Sequence, residues 1–310
     1  MKDIIFDKFN NFAPEIACLD HGFVQLIDCM PRNIRGEEES ADHAIAEAAR
    51  CSYQRGTKTI ADDKTLIRYL MRHNHTSPFE MIEFKFHCKM PMFVARQMIR
   101  HRTASVNELS GRYSEMPEET YLPEMDDVRM QSTVNTQGSE GFMSYEEAVE
   151  ILNALQDSYS KDFELYYDLL KNGVVREQSR IVLPLATYTE WYWKIDLKNL
   201  LHFLDLRCDS HSQKEIQVYG NAVLDLIKPI VPWTIEAWED YSPYRGGMIL
   251  TRYEVEKIQR MINCLVVSGP SDMIIPTRSI DTGSKLENKE WITKADELGL
   301  NHGYFTRGEE

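Results

Sequence analysis

The sequence predicts an α+β fold in which an antiparallel sheet is packed with long helices. Three observations predict it. Residues 82–90 alternate strictly between apolar and polar side chains, the mark of a half-buried strand. Ser144 and Glu147 frame a helix start ahead of a long run that reaches Asn172. The predicted strands and helices do not alternate as β–α–β units, which a parallel sheet requires.

Residues 1–20 read as a short extension, and residues 21–30 alternate well enough for a strand. Ser40 is placed to cap an alanine-rich helix reaching Tyr53. Leu66, Tyr69, Leu70 and His73 recur at helical spacing and mark a second helix. Ser77-Pro78-Phe79-Glu80 is a helix-start signature: a capping Ser, Pro at the first position, Glu at the third. That helix lasts only a turn or so, because the alternation begins at residue 82. Ile82, Phe84, Phe86, Cys88 and Met90 then point one way, and Glu83, Lys85, His87 and Lys89 the other.

Pro91 opens a helix over residues 92–102, and residues 103–112 read as a loop. Residues 114–143, polar and carrying two Pro and two Gly, read as a surface excursion. The long helix stops at Gly173. A short helix over 176–182 ends ahead of Pro184, and residues 188–195 form an aromatic-rich strand. Asp196 caps a helix through Leu206; another runs over 210–230, its end marked by Pro232-Trp233. Beyond Ser242 the pattern weakens around Gly246-Gly247, Gly269-Pro270 and Gly283. A helix near 253–264 and a strand near 265–267 are expected there.

Composition narrows the function classes. The chain has 310 residues, 43% hydrophobic and 27% charged, as in an ordinary globular protein. It has no run of about 18 apolar residues, so no membrane association is expected. Its start, Met1-Lys2-Asp3-Ile4-Ile5-Phe6-Asp7-Lys8, does not read as a secretory signal. Six cysteines without a C-x-x-C pair argue for reduced, mostly buried thiols in a cytoplasmic protein. His73, His75 and His87 have no Cys or carboxylate at tetrahedral spacing, so no metal is expected. Trp191-Tyr192-Trp193 reads as core or subunit interface rather than a ring cage. Glu37-Glu38-Glu39 reads as a solvated run.

The formal net charge of −14 opposes general nucleic-acid binding. A basic cluster inside so acidic a chain is therefore informative: Arg96, Arg100, His101, Arg102 and Arg112. Arg96 and Arg100, four apart on a predicted helix, repel. Such a face is either solvated or waiting for an anion. Arg forks match phosphate bidentately, and the hydroxyls and N–H groups of the Ser105–Ser110 loop can complete an oxyanion cradle. No P-loop and no G-x-G-x-x-G accompanies it.

Arg100-His101-Arg102, seven residues and then Ser110 resembles without departure the signature of flavin-dependent thymidylate synthases. Four further segments resemble that family's blocks in order: His75-Thr76-Ser77-Pro78-Phe79-Glu80, Phe93-Val94-Ala95-Arg96-Gln97, Arg180-Ile181-Val182-Leu183-Pro184, and Leu206-Arg207 through Gln217. The likeness covers roughly residues 21–241 and implies one catalytic domain there, with 1–20 and 242–310 as extensions, the latter of unassigned role.

The resemblance implies a homotetramer whose sites are built by more than one subunit. It implies FAD as cofactor, with dUMP, 5,10-methylenetetrahydrofolate and NADPH as substrates, and dTMP and tetrahydrofolate as products. By position it assigns dUMP to Gln97, Arg100, Glu108, Leu109, Ser110, Gly111, Arg112, Arg180 and Arg207. It assigns FAD to Ser52, His75, Ser77, Glu80, Arg100, His101, Arg102 and Glu108, with a later block at Asp196, Lys198 and His202. That block departs from the family, which often has Asn-x-Arg there. Lys198 keeps the charge without the fork, and Asp196 adds a charge unfavourable to phosphate.

Following the family, Arg207 is the catalytic group, aimed at the uracil N3–O2 edge to stabilise charge on the ring. Arg112, Arg180 and Ser110 position phosphate and ribose. His75 and His101 shape the flavin and folate region. A Ser without an adjacent base is a poor nucleophile, and the cysteines at or nearest the matching segments are Cys88, on a strand, and Cys208, beside Arg207. Two other classes compete: a non-catalytic nucleotide- or flavin-binding module, and an Arg-rich RNA binder. Retention of Arg207 and Ser110 counts against the first. The acidic total and the lack of interleaved aromatics in 96–112 count against the second.

Overall fold

The structure, a computed structural model, describes residues 14–32, 40–52, 62–133, 138–245, 248–268 and 292–294. The chain divides into two units, Met1–Gly247 and Met248–Glu310.

The first unit is built on β1 (Glu15–Cys18), β2 (Gly22–Met30), β3 (Glu83–Pro91), β4 (Ser105–Glu108) and β7 (Tyr188–Asp196). They form one sheet in the order β1-β2-β3-β7-β4, with every pairing antiparallel. The α+β class expected from sequence is the one the chain adopts. Strand β3 shows why. Phe84, Phe86, Cys88 and Met90 have no exposed surface. Phe84 and Phe86 sit opposite Ile195 and Trp193 of β7. Each such side chain contributes about 1.5–3 kcal/mol by leaving water.

The helices α1 (Asp42–Arg50), α2 (Asp63–Arg72), α6 (Leu197–Arg207), α7 (Lys214–Ile227) and α8 (Pro232–Tyr241) complete that core. The opposite face of β3 and β7 carries polar pairs, with Lys194 Nζ 3.0 Å from Glu83 and His87 Nε2 3.1 Å from Glu190. Trp191 and Trp193 point inward to the core, whereas Tyr192 is exposed.

The long helix α4 (Tyr145–Lys171) has the expected capping box. Ser144 accepts from the Glu147 N–H, and the Glu147 carboxylate accepts from the Ser144 N–H. Gly173 ends it at φ +82°, a left-handed conformation in which a side chain is strained. The remaining short elements are α3 (Met92–Met98), α5 (Arg176–Ser179) and the hairpin β5 (Arg129–Gln131) and β6 (Ser139–Phe142).

Several expectations are corrected. Residues 15–18, read as extension, are the edge strand β1. Ser40 does not cap α1: the helix starts at Asp42, and the Ser40 hydroxyl donates to the Asp42 carboxylate at 3.3 Å. Ser77 makes no side-chain cap either, and residues Ser77–Met81 form one 3-10 turn. Helix α3 ends at Met98 instead of 102, and the expected loop contains β4. The 114–143 excursion holds the hairpin. Helix α7 spans Lys214–Ile227 rather than 210–230.

Pro232 does not mark only an ending. It opens α8, a position where proline's missing N–H is harmless. The free N–H groups of that helix are satisfied from the other end of the chain. Buried Asp42 accepts from the N–H of Trp233 at 2.9 Å and of Thr234 at 3.1 Å. Burial nevertheless pushes its carboxyl above the ordinary range, against those hydrogen bonds.

In the second unit, α9 (Arg252–Ser268) continues through the stretch expected as a strand at 265–267. Lys294 lies 2.9 Å from Glu254 in the same unit. Among the described residues no helix is long and apolar enough to cross a membrane. Tyr53, the Glu37–Glu39 run and the glycines at 246, 247, 269 and 283 lie outside the described residues.

Candidate active site

The predicted site residues gather in three places. The first lies where α3 runs out beside the end of α6. After Met98 the chain tightens: the Arg100 N–H donates to the Gln97 carbonyl at 3.3 Å and the His101 N–H to Met98 at 3.1 Å. These i→i+3 bonds carry His101 inward instead of along a helix face. Arg207, the last residue of α6, meets it there. Its Nε–H donates to His101 Nε2 at 3.1 Å, and Nη2 lies 3.5 Å from the Gln97 carbonyl. The negative end of the α6 dipole favours a cation at this place.

The His101 ring is held edge-on by Phe203, with centroids 5.0 Å apart, and by His202 at 5.9 Å. Burial, reinforced by the charges of Arg207 and His202, pushes its pKa down to about 4. His101 is therefore neutral near pH 7. Because Nε2 accepts, its proton resides on Nδ1. Burial likewise holds the Arg207 guanidinium below its ordinary range, though arginine stays charged. Among the described residues Arg207 has no carboxylate partner. A half-buried cation without a counter-charge suits a ligand that brings electron density to it.

The second cluster lies at the far edge of the sheet. Strand β4 ends at Glu108, whose carboxylate accepts from the Thr189 hydroxyl at 2.8 Å, and the Leu109 N–H donates to the Glu190 carbonyl at 2.8 Å. Pinned this way to β7, the chain turns at Ser110, whose hydroxyl accepts from the Arg112 N–H at 3.3 Å. The Arg180 side chain passes over Gly111. A Cβ at 111 would stand 3.2 Å from Arg180 Cδ and 2.9 Å from Met116 Sδ, so a side chain there would push these two flexible side chains aside. Arg112 Nε is 3.2 Å from Glu177 in an exposed pair, a weak tether that an anion can displace. Among the described residues no hydrogen bond or ion pair joins this cluster to the first.

The third group takes in two of the residues expected to meet flavin, with the sequence neighbours of two more. Lys198 and His202 of α6 share a cleft of about 200 Å³ with Asn74 and Thr76, the immediate neighbours of His75 and Ser77. Apolar Leu70, Phe79 and Leu201 line it as well. The charge of Asp196 is engaged locally: its carboxylate caps α6, accepting from the Asn199 N–H at 3.0 Å and the Asn199 side chain at 2.7 Å. The departure from the family's Asn thus keeps a capping role, with both carboxylate oxygens hydrogen-bonded at the start of α6. Lys198 Nζ is 3.2 Å from the Asn199 side-chain oxygen. His75, Ser77, Glu80, Arg100, Arg102 and Ser52 are exposed. Among the described residues no group of three or more His, Cys, Asp or Glu could hold a metal ion.

The sequence reading missed the pairing of His101 with Arg207. It also missed Gln213, whose side-chain oxygen accepts from the Gln97 amide. Gln213 precedes α7 and was legible only as one letter of a matching block. Met116, packed against Gly111, carried no signal at all.

Comparison with known proteins follows the same lines. The family described as thymidylate synthase complementing protein matches residues 34–233. The flavin-dependent thymidylate synthase of Dictyostelium discoideum is 54% identical over 245 residues, covering 79% of this chain and 80% of that protein. That of Gluconobacter oxydans (strain 621H) is 48% identical over 265 residues, covering 84% and 82%. Among solved structures, the UMP/dUMP methylase PolB from Streptomyces cacaoi bound with 5-Br dUMP superposes with a TM-score of 0.63 at 29% identity. That match covers 74% of this chain and 100% of the other. On sequence, fold and motif order together, the chain belongs to the flavin-dependent thymidylate synthases, enzymes of the methyltransferase type.

Proposed function

We propose that this enzyme converts dUMP to dTMP, taking the carbon from 5,10-methylenetetrahydrofolate and the reducing equivalents from NADPH through FAD, and releasing tetrahydrofolate. The observation that carries the reading is Arg207: a half-buried guanidinium with no carboxylate partner among the described residues, held by a neutral imidazole. It is built to face electron density on a neutral ring edge. Set against the uracil N3–O2 edge, it stabilises negative charge on the ring and makes carbon 5 the nucleophile.

In this reading Ser110, Arg112 and Arg180 bind phosphate and ribose. The Glu108 carboxylate, fixed by Thr189, and the 109–111 backbone complete the cradle. His75, Ser77, Glu80, Arg100, His101, Arg102, Lys198 and His202 line the flavin side, and Ser52 extends it. Bound flavin supplies the hydride that completes the methyl group. The active form is a homotetramer with shared sites. Among the described residues no hydrogen bond or ion pair joins the two nucleotide-binding clusters, and Tyr113, Ile181 and Leu185 beside the second are 79%, 77% and 60% exposed. Apolar exposure of that size around a polar cradle favours a subunit contact.

No enzyme thiolate takes part. Burial pushes the Cys208 thiol up to about 11 and raises Cys88 further, so neither is a nucleophile at neutral pH. Cys208→Ser is expected to form dTMP within about threefold of the parent rate, the scatter of a conservative change at a half-buried site. A well-folded but inactive Cys208→Ser enzyme would show that covalent catalysis operates instead.

The function itself is tested by the visible spectrum of the purified protein, then by anaerobic NADPH with and without dUMP. Flavin bands that bleach faster when dUMP is present are the expected result. A colourless protein that takes up no added FAD would replace the reading with a nucleotide-binding module.

A further inference from the structure

We propose that His101 is a positioning residue for Arg207: its Nε2 lone pair fixes the guanidinium so that its outer N–H edge faces the uracil ring. The proposal rests on Arg207 being the group that meets uracil. A guanidinium has five N–H donors. Here Nε–H goes to His101 Nε2 at 3.1 Å and one Nη2–H is directed at the Gln97 carbonyl, 3.5 Å away. Three N–H groups are left on the Nη1 and Nη2 edge, with no carboxylate among the described residues to take them. That fork has the shape to meet a carbonyl edge of a pyrimidine.

The surroundings fix the ring that does the fixing. Phe203 packs against the His101 ring at an interplanar angle of 80° and His202 at 62°, which defines where the Nε2 lone pair points. A protonated His101 has no lone pair at Nε2 and would repel Arg207. The depressed basicity of the ring excludes that state near neutrality. A second anchor acts from the residue just before α7. The Gln213 side-chain oxygen accepts from the Gln97 amide, steadying the residue whose carbonyl faces Arg207. Arg207 thus sits in a seat built from α3, the turn after it and α6, assembled without any counter-ion.

Amide side chains test this directly. A Gln oxygen reaches the place of His Nε2, whereas an Asn oxygen stops at the place of Nδ1. Both are polar and small enough for the pocket, so a merely structural role predicts equal behaviour. We compare the holoenzymes of His101→Gln, His101→Asn, Arg207→Ala and His101→Asn/Arg207→Ala by calorimetric titration with dUMP, and measure their flavin content.

Dissociation constants for dUMP are expected within about threefold of the parent for His101→Gln and about tenfold weaker for His101→Asn. Coupled neighbours show interactions of that size. With Arg207 already removed, His101→Asn is expected to add nothing. An equal loss with or without Arg207 overturns the proposal, as does equal binding by the Gln and Asn variants. Loss of flavin in step with dUMP in both variants also overturns it, because the weaker dUMP binding then follows from the missing flavin and not from Arg207. If Arg207→Ala alone binds dUMP as the parent does, the assignment of Arg207 to uracil is what falls.

Discussion

Arg207→Ala lowers the rate of dTMP formation about 100- to 1000-fold, the usual loss for one preorganised charged donor, while flavin content stays near that of the parent. Arg207 has no carboxylate partner among the described residues, so its removal strands no buried charge. Its two neighbours are tolerant ones: His101 is neutral and can take water at Nε2, and the Gln97 carbonyl lies 3.5 Å away, a long contact. Stability should therefore change little, in contrast to removing one member of a buried ion pair. What disappears is the positive charge that stabilises the uracil ring as carbon 5 becomes nucleophilic. The measurement is single-turnover dTMP formation on enzyme of known flavin content. Turnover close to the parent's would remove Arg207 from the mechanism. Recovery by Arg207→Lys is expected to be poor, because an ammonium restores charge without the planar fork.

Some of this was legible in the sequence and some was not, for physical reasons. Strand β3 was legible because its two faces meet different solvents, and alternation records that. The α4 capping box was legible because all its parts lie within four residues. Strand β4 was not. Ser105-Val106-Asn107-Glu108 is exposed along its whole length and is a strand only because β7 offers it a hydrogen-bonding edge. Helix α8 was read as an ending because its N-cap residue makes no side-chain bond. The carboxylate that serves its first turn is Asp42, 191 residues before Trp233. Local reading cannot find a cap supplied from so far away.

The site divides in the same way. The residue identities around Arg100–Arg112 pointed to an anion cradle, and the resemblance added Arg180 and Arg207. The distances could not come from either. His101 and Arg207 are 106 residues apart, and nothing in the letters says that an imidazole lone pair and a guanidinium meet. The Asp196 departure shows the converse. In the sequence it was a free negative charge beside an expected phosphate. In the fold the same carboxylate is engaged by Asn199.

The other large effect falls on stability. Glu215→Leu is expected to destabilise the first unit by about 3 kcal/mol, the lower end for breaking a buried ion pair by removing one partner. The Glu215 side chain is only 6% exposed, and its carboxylate accepts from Arg129 and, at 3.3 Å, from the Tyr121 hydroxyl. Arg129 is itself 21% exposed and retains Asp127 at 3.5 Å, which is why the lower end applies. These contacts fasten the 114–133 stretch to α7. Urea unfolding followed by circular dichroism measures the loss, and a change below about 0.5 kcal/mol, the range of ordinary surface substitutions, would show that the pair is not what holds that stretch. The same stretch carries Met116, which packs against Gly111 beside Arg180. Loosening it should therefore raise KM for dUMP while leaving kcat at saturating dUMP near the parent value. Arg207→Ala gives a different signature: kcat at saturating dUMP is lost, along with dUMP affinity, in a stable protein. That contrast separates the residue that acts on the ring from the one that holds the phosphate cradle in place.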